Sequence, residues 1–550
     1  MKAIWGRIFR RSLGLPMVFA VTCVLMGTAA CGSSGTTSSA GSAPVTGGTL
    51  RYATAVEPEC LDPEVAARDV DALVDRNIFD SLVSYLPDGT FHPWLAERWT
   101  VSPDKLTYTF TLRPGVTFQD GTPLNAAAVK ATLDHAVDPK AKSYYAASLI
   151  GAYARSTVVD DRTVKVRLSR PNAPFLQALS TAYLGIQSPR SIKEDSAGLC
   201  QRPVGSGPFS FVSWTKNTRI TLKRNPAYRW GPATAGHTGP ARLDGIVFTF
   251  VPEDSVRVGA LSSGQVDAIS DVPANSVKQL RRTSQMLTAQ APGAVYTVLL
   301  NSRSGPLADE KVRVALQRSL DLDKLVRSVY FGEYQRAWSV LSPSTADYDP
   351  ATVGSWKYDP ALSNRLLDQA GWTRRDSAGY RTKDGKRLIL RWPYASALMR
   401  DQREILGEGI QAEAKLVGID IQFSSEDPGT LNTALSTGTG LDLFAMSFVR
   451  AEPDILRYFF ASNQGVAKGG ANLFNLADPK LDSWFIAATS TSNSAIRRND
   501  FAEIQQYLNT HALALPTYVP TYLLGASKKL HAVTFEAQAY PLFYDAWLSR

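Results

Sequence analysis

The chain has 550 residues, 44% of them hydrophobic, and a formal net charge of +9. That length exceeds one hydrophobic core, so at least two lobes are expected, and the apolar fraction is that of an ordinary globular protein. No long basic run occurs beyond the N-terminal region, which removes the usual ground for a nucleic-acid partner.

Lys2, Arg7, Arg10 and Arg11 give a positive start, and Leu13 to Gly27 is mostly apolar. Thr28, Ala29 and Ala30 then lead into Cys31, so residues 1–30 read as an export signal. A membrane span needs about 20 clean apolar residues. This run is shorter and is interrupted by Pro16, Thr22 and Gly27. Removing the signal takes four cations with it and leaves 520 residues with a charge of +5. Cys31 resembles the acylation site of a bacterial lipoprotein, although Thr28 stands where that motif has an aliphatic residue; ordinary cleavage with Cys31 incidental is the alternative. Residues 31–48 are mostly Ser, Thr, Gly and Ala, the composition of a flexible tether. Cys23 leaves with the signal. Cys60 and Cys200 remain, an even pair in an exported chain, for which a disulfide is expected and two buried thiols are the alternative.

Along the remaining chain the periodicity alternates between two and 3.6. "LTYTFTLRPG" places Leu106, Tyr108, Phe110 and Leu112 on one face of a strand that ends at Pro-Gly, and "TVKVRL" repeats the pattern with Val164, Val166 and Leu168. "YDPALSNRLLDQAGW" predicts a helix capped by Asp359, opened by Pro360, with Leu362, Leu366 and Leu367 on one face and a stop at Gly371. "EGIQAEAKLVGIDIQF" predicts a helix, a joint at Gly418, and a strand carrying Ile419, Ile421 and Phe423. Mixed helices and strands make this α/β or α+β.

Enzyme signatures are missing: there is no HExxH, GxSxG, GxxxxGK[ST] or GxGxxG. The five histidines, His92, His135, His237, His511 and His531, are widely separated. Asp160 and Asp161 fit a solvated turn. No catalytic residue, cofactor or metal site is expected. Glycosidase carboxylates can lie far apart in sequence, so a secreted hydrolase stays as a distant alternative.

Five stretches occur in order: "LRPGVTFQDGTPLNAAAVKATLDHAVDP" (112–139), "RPVGSGPFSFVSW" (202–214) followed by "ITLKRNPAYRW", "LLNSRSGPLADEKVRVALQRSLDLDKLV" (299–326), "YDPALSNRLLDQAGW" and "DLFAMSFVRAEPD". Together they resemble the extracellular solute-binding proteins of the peptide and nickel type (family 5), which serve ABC importers. Physically, most of these residues set the fold. Gly115, Gly121 and Pro123 make turns around Val116 and Phe118, and Gly205 and Gly207 allow a backbone path closed to bulkier residues.

The resemblance implies an α/β, two-lobe clamp of the periplasmic-binding-protein type (class II, the large form). Lobe I would span 47–294 and return at 521–550, with an extra subdomain at about 80–195, and lobe II would span 295–520. Chain crossings near "APGAVYT" and "ALPTYVPT", with Pro292, Gly293, Pro516 and Pro520, would form the hinge. The implied function is a monomeric substrate-binding lipoprotein on the outer face of the bacterial cytoplasmic membrane. It would close on a peptide or peptide-like solute and deliver it to an ABC permease and its ATPase, which fits the missing phosphate loop. A solute-sensing receptor or chaperone-like module with the same clamp is the alternative. In peptide-binding relatives an acidic residue after the motif matching "MSFV" holds the ligand's ammonium group. Here Ala451 takes that position, with Arg450 before it and Glu452 after, so either could face the ligand, or the two could pair with each other. Glu57, Tyr296, Trp338, Trp392, Tyr394, Phe448 and Asn472 complete the candidate ligand contacts.

Overall fold

The computed structural model describes residues 43–396, 399–491 and 493–550. The export signal and Cys31 lie outside the described residues. Among these, no helix is long and apolar enough to cross a membrane.

Two sheets organise the chain. The larger has seven strands in the spatial order Gln285–Gln290, Thr521–Ala526, Ala268–Ile269, Thr49–Thr54, Gly245–Phe250, Arg219–Arg224 and Phe209–Thr215. Thr49–Thr54 runs parallel to both of its neighbours and the other pairings are antiparallel. The second sheet has four antiparallel strands in the order Gln335–Arg336, Ala514–Val519, Gly293–Leu300 and Leu443–Val449. A separate four-stranded antiparallel sheet, Ala96–Val101, Thr107–Leu112, Thr163–Leu168 and Tyr153–Asp160, packs with the helix Ala126–Val137 on the first lobe.

The predicted alternation is visible in that added sheet. Tyr108 faces Val166 and Phe110 faces Val164, all four of them buried, so one apolar face of this sheet closes on the core. The helix at 359 forms as Pro360–Gln369, with the Asp359 carboxylate accepting from the Leu362 amide at 2.8 Å. Leu367 is fully buried on its apolar stripe. Helix Arg403–Leu416 leads into strand Asp420–Ser425 with Gly418 at the joint, at φ +91°.

The chain passes between the two main sheets where strand Gln285–Gln290 gives way to Gly293–Leu300, and again where Ala514–Val519 gives way to Thr521–Ala526. Gly293 sits at the first passage with φ +100°, and a Cβ there would lie 2.6 Å from the Arg450 amide nitrogen. Only glycine fits that path. At the second passage the expected hinge is one proline shorter. Pro516 lies inside strand Ala514–Val519, opposite Thr297 where the register shifts, a place that does not need its missing N–H. Pro520 alone occupies the connector, its carbonyl accepting from the Ala291 amide of the neighbouring passage at 2.9 Å. Cys60 and Cys200 are joined in a disulfide across 140 residues.

Candidate ligand cleft

The two lobes meet over a cleft containing two cavities, of about 410 Å³ and about 320 Å³, which share Val56, Asp69, Met399 and Arg400 as walls. Asp69 is the first residue of helix Asp69–Ile78. The backbone cap of that helix is made by Asp71, whose carboxylate accepts from the Arg68 amide at 3.1 Å, while the Asp69 carboxylate accepts from the Val70 amide at 3.1 Å at the positive end of the helix. It meets Arg400 of the second lobe at 2.7 Å. Burial alone would raise the Asp69 carboxyl, but the Arg400 guanidinium beside it holds it below the usual carboxylate range.

A second cation stands behind this pair. Arg403 opens helix Arg403–Leu416 and is 8% exposed. It donates to the Tyr518 hydroxyl at 2.9 Å and to the Ser447 hydroxyl at 3.0 Å, and its guanidinium lies 4.3 Å from the centre of the Tyr296 ring. Asp401 lies 3.3 Å from Arg403 and 3.9 Å from Arg400. Asp271 enters from the first lobe, its carboxyl raised by burial and by the like charges of Asp401 and Asp69. Tyrosines close the walls: Tyr52 pairs with Tyr522 through their hydroxyls at 2.9 Å, and Tyr183 with Tyr540 at 3.1 Å. Two guanidinium groups, three carboxylates and aromatic faces suit a small zwitterionic ligand, with the carboxylates taking an ammonium and the arginines a carboxylate.

Residues 90–468 match the family model of bacterial extracellular solute-binding proteins, family 5 (middle region). The chain belongs to this family. The glutathione-binding protein GsiB of Salmonella typhi is 31% identical over 318 residues, which is 57% of this chain and 59% of GsiB. The match thus spans less than two thirds of that curated relative. Two solved structures share the fold. NikA from Brucella suis, in complex with Fe(III)-EDTA, has a TM-score of 0.79 at 24% identity over 91% of this chain and all of NikA. DppA from Helicobacter pylori, in complex with the peptide STSA, has a TM-score of 0.77 at 24% identity over 92% of this chain and 99% of DppA. The fold is the two-lobe clamp of periplasmic binding proteins, and the family is one of solute-binding proteins rather than enzymes.

Within this family 5 protein, the residues singled out from the sequence fall in several environments. Phe448 lines the smaller cleft cavity and packs 5.2 Å from the Tyr145 ring of the first lobe. Arg450 is 4% exposed and faces the rings of Tyr145 and Tyr458 at 5.5 and 5.9 Å. It borders a separate cavity of about 20 Å³, room for roughly one water. Glu452 forms an ion pair with Arg497 rather than with Arg450. Its carboxyl is raised by burial, against the pull of Arg497.

The other candidates make structural contacts. Glu57 accepts from the Trp214 indole at 2.7 Å and from the Asn217 amide at 3.1 Å, fixing a hairpin of the large sheet. Tyr296 lies behind Arg403. Trp392 is buried against Phe423, and Tyr394 stacks on Phe423 while donating to Glu404 at 2.5 Å. Trp338 lies under the Arg336 guanidinium and beside Trp356. Asn472 is buried and ties Ala461 to Leu476 through its side-chain amide. Asp69, Arg400, Arg403 and Asp271 were not among the sequence candidates. One signal was available for Asp69: the run Asp69-Val70-Asp71 offers two carboxylates where one cap is needed.

Proposed function

We propose that the chain is the substrate-binding lipoprotein of an ABC importer, exported, anchored through Cys31 to the outer face of the cytoplasmic membrane, and monomeric. It captures a peptide or peptide-like solute with a free ammonium and a free carboxylate and presents the closed form to a permease. Lobe I comprises 47–294 and 521–550, and lobe II comprises 295–520. The observation that carries this reading is the opposition of Asp69 and Arg400 between the two cleft cavities. A charged group from each lobe lets a zwitterion gain contacts only when the lobes close, which is what ligand-driven closure requires. The name of GsiB adds glutathione, a tripeptide with both kinds of charge, as the first ligand to try.

Calorimetric titration of the mature protein with glutathione and a panel of di- and tripeptides tests the ligand class. Peptides with free termini should bind, and N-acetylation or C-amidation of the same peptide should each weaken binding. Equal affinity for the doubly blocked peptide would refute the proposed charge recognition. For the anchor, Cys31→Ala should release the protein into the medium, and retention on the membrane would refute lipidation at Cys31.

A further inference from the structure

Away from the cleft, the segment following the disulfide meets the added subdomain in a buried polar cluster. Asp62 and Glu64 are 2% and 0% exposed. His135, from the last turn of helix Ala126–Val137, brings Nε2 to 2.9 Å from Asp62 Oδ2. One ligand atom from each of Asp62, Glu64 and His135 lies within 4.8 Å of the others. Gln187, also fully buried, turns its amide nitrogen toward both carboxylates, at 2.8 Å from Asp62 Oδ1.

What the cluster lacks is positive charge. Glu64 Oε1, Gln187 Oε1 and both carboxylate oxygens of neighbouring Asp75 are buried with no hydrogen-bond partner. Among the described residues, no lysine or arginine makes an ion pair with Asp62, Glu64 or Asp75; His135 is the one basic group in contact. Arg76, whose charge acts on Asp75, is already committed to Glu536 at 2.9 Å. Buried carboxylates without partners are costly, and unsatisfied oxygens of this kind point to something missing between them. Hydrogen bonds from Gln187 bring no charge, and they reach Asp62 Oδ1 and Glu64 Oε2 while leaving Glu64 Oε1 without a partner.

We infer that Asp62, Glu64 and His135 form a structural binding site for one divalent transition-metal ion, with the Gln187 side chain at its edge. Two carboxylates and an imidazole suit Zn²⁺ or Mn²⁺ better than Ca²⁺ or Mg²⁺, which take oxygen donors alone. No local motif marks this site, because His135 is 71 positions from Glu64 and the fold brings them together. None of the three lines a cleft cavity, so the ion is neither cargo nor catalyst. It would tie the segment at 60–66 to the helix of the subdomain, just ahead of helix Asp69–Ile78, which presents Asp69 to the cleft. A site this enclosed fills during folding.

The test uses tag-free mature protein. It is unfolded with its disulfide intact, then refolded with EDTA, with Zn²⁺ or with Mn²⁺, and passed through a desalting column. Elemental analysis should find about one equivalent of one of these metals per chain, and that protein should melt several degrees above the EDTA-refolded form. Glu64→Gln keeps the shape and removes one ligand charge, so it should lose both the bound metal and the melting difference. Should that variant fail to fold, anomalous scattering at the metal edge from wild-type crystals should give a peak between Asp62, Glu64 and His135. The inference is overturned if wild-type protein refolds without metal and melts identically in all three conditions. It is equally overturned if metal binds undiminished in Glu64→Gln, or if the anomalous peak lies elsewhere.

Discussion

The Asp69–Arg400 pair joins residues 331 positions apart and is the most direct handle on closure. Two roles for it predict different numbers. As a latch between lobes it is a partly exposed ion pair, with the side chains 37% and 43% accessible. Such pairs contribute about 0.2–1 kcal/mol. Breaking it in Asp69→Asn would therefore shift the open–closed balance by no more than about fivefold, and apparent affinity would fall by the same factor through the closed population. As ligand contacts, by contrast, each group forms a charged hydrogen bond with one end of the solute. Each such bond contributes about 1.5–3 kcal/mol, or roughly 10- to 150-fold in Kd.

A double-mutant cycle separates these roles. Asp69→Asn, Arg400→Gln and the double variant are titrated calorimetrically with the same peptide. If the pair is only a latch, all three lose the same few-fold affinity, because either single change already breaks it. If both residues hold the ligand, the losses add, and the double variant falls by about two orders of magnitude or more. Small-angle scattering of the ligand-free variants should show a larger radius of gyration if the pair is a latch. Variants that bind within twofold of wild type, with unchanged scattering, would refute both roles and leave the pair a bystander.

Two further outcomes follow from buried groups. Burial pushes the Asp80 carboxyl up to about 6, against hydrogen bonds from Ser206, Tyr228 and Trp230. The folded protein thus holds this proton more tightly than the unfolded chain. The Asp80 contribution to stability is fullest below about pH 4, falls as pH rises through about 6, and is flat above. Asp80→Asn should abolish that slope, so the stability difference between wild type and variant changes by about 2–2.5 kcal/mol between pH 4 and 7 in urea titrations; a constant difference would refute the assignment. Replacing Cys60 and Cys200 by serine opens a 140-residue loop and should cost up to about 4–5 kcal/mol on the chain-entropy account, read from the urea midpoint.

Much of the fold was legible because local chemistry and tertiary structure agree. The Tyr108 and Phe110 alternation, the Asp359 cap and the Gly418 joint each need only their own segment to be understood. Pro516 misled because a proline before a chain crossing reads as a connector, whereas a register shift in the strand accommodates it. The cleft was less legible for a physical reason. Asp69 and Arg403 each begin a helix, where a charge is ordinarily a solvated terminus. Only the approach of the other lobe turns them into a site. Trp392 and Tyr394 err in the opposite direction. Aromatic residues near a strand end fit a binding wall or a core equally well; Trp392 is buried in the core against Phe423, and half-buried Tyr394 stacks on the same ring and donates to Glu404.

Asp80 explains why the family motifs speak to fold and not to ligand. Its carboxylate gathers Ser206 from "RPVGSGPFSFVSW" and Tyr228 and Trp230 from "ITLKRNPAYRW" at 2.7, 2.9 and 3.0 Å. Gly207 lets the first of these stretches run against the end of helix Asp69–Ile78, where a Cβ would lie 2.6 Å from the Ile78 carbonyl carbon. Two consecutive stretches are thereby fixed around one buried acid, and the helix they brace is the one that carries Asp69 at its other end. These motifs therefore position the cleft without entering it, and only "DLFAMSFVRAEPD" reaches its wall, through Ser447, Phe448 and Val449. A chain can keep every one of them and still change its solute, because Asp69, Arg400 and Arg403 lie outside all five stretches. Ligand specificity in this protein is accordingly to be sought where the two lobes face each other, in residues that no single segment marks as special.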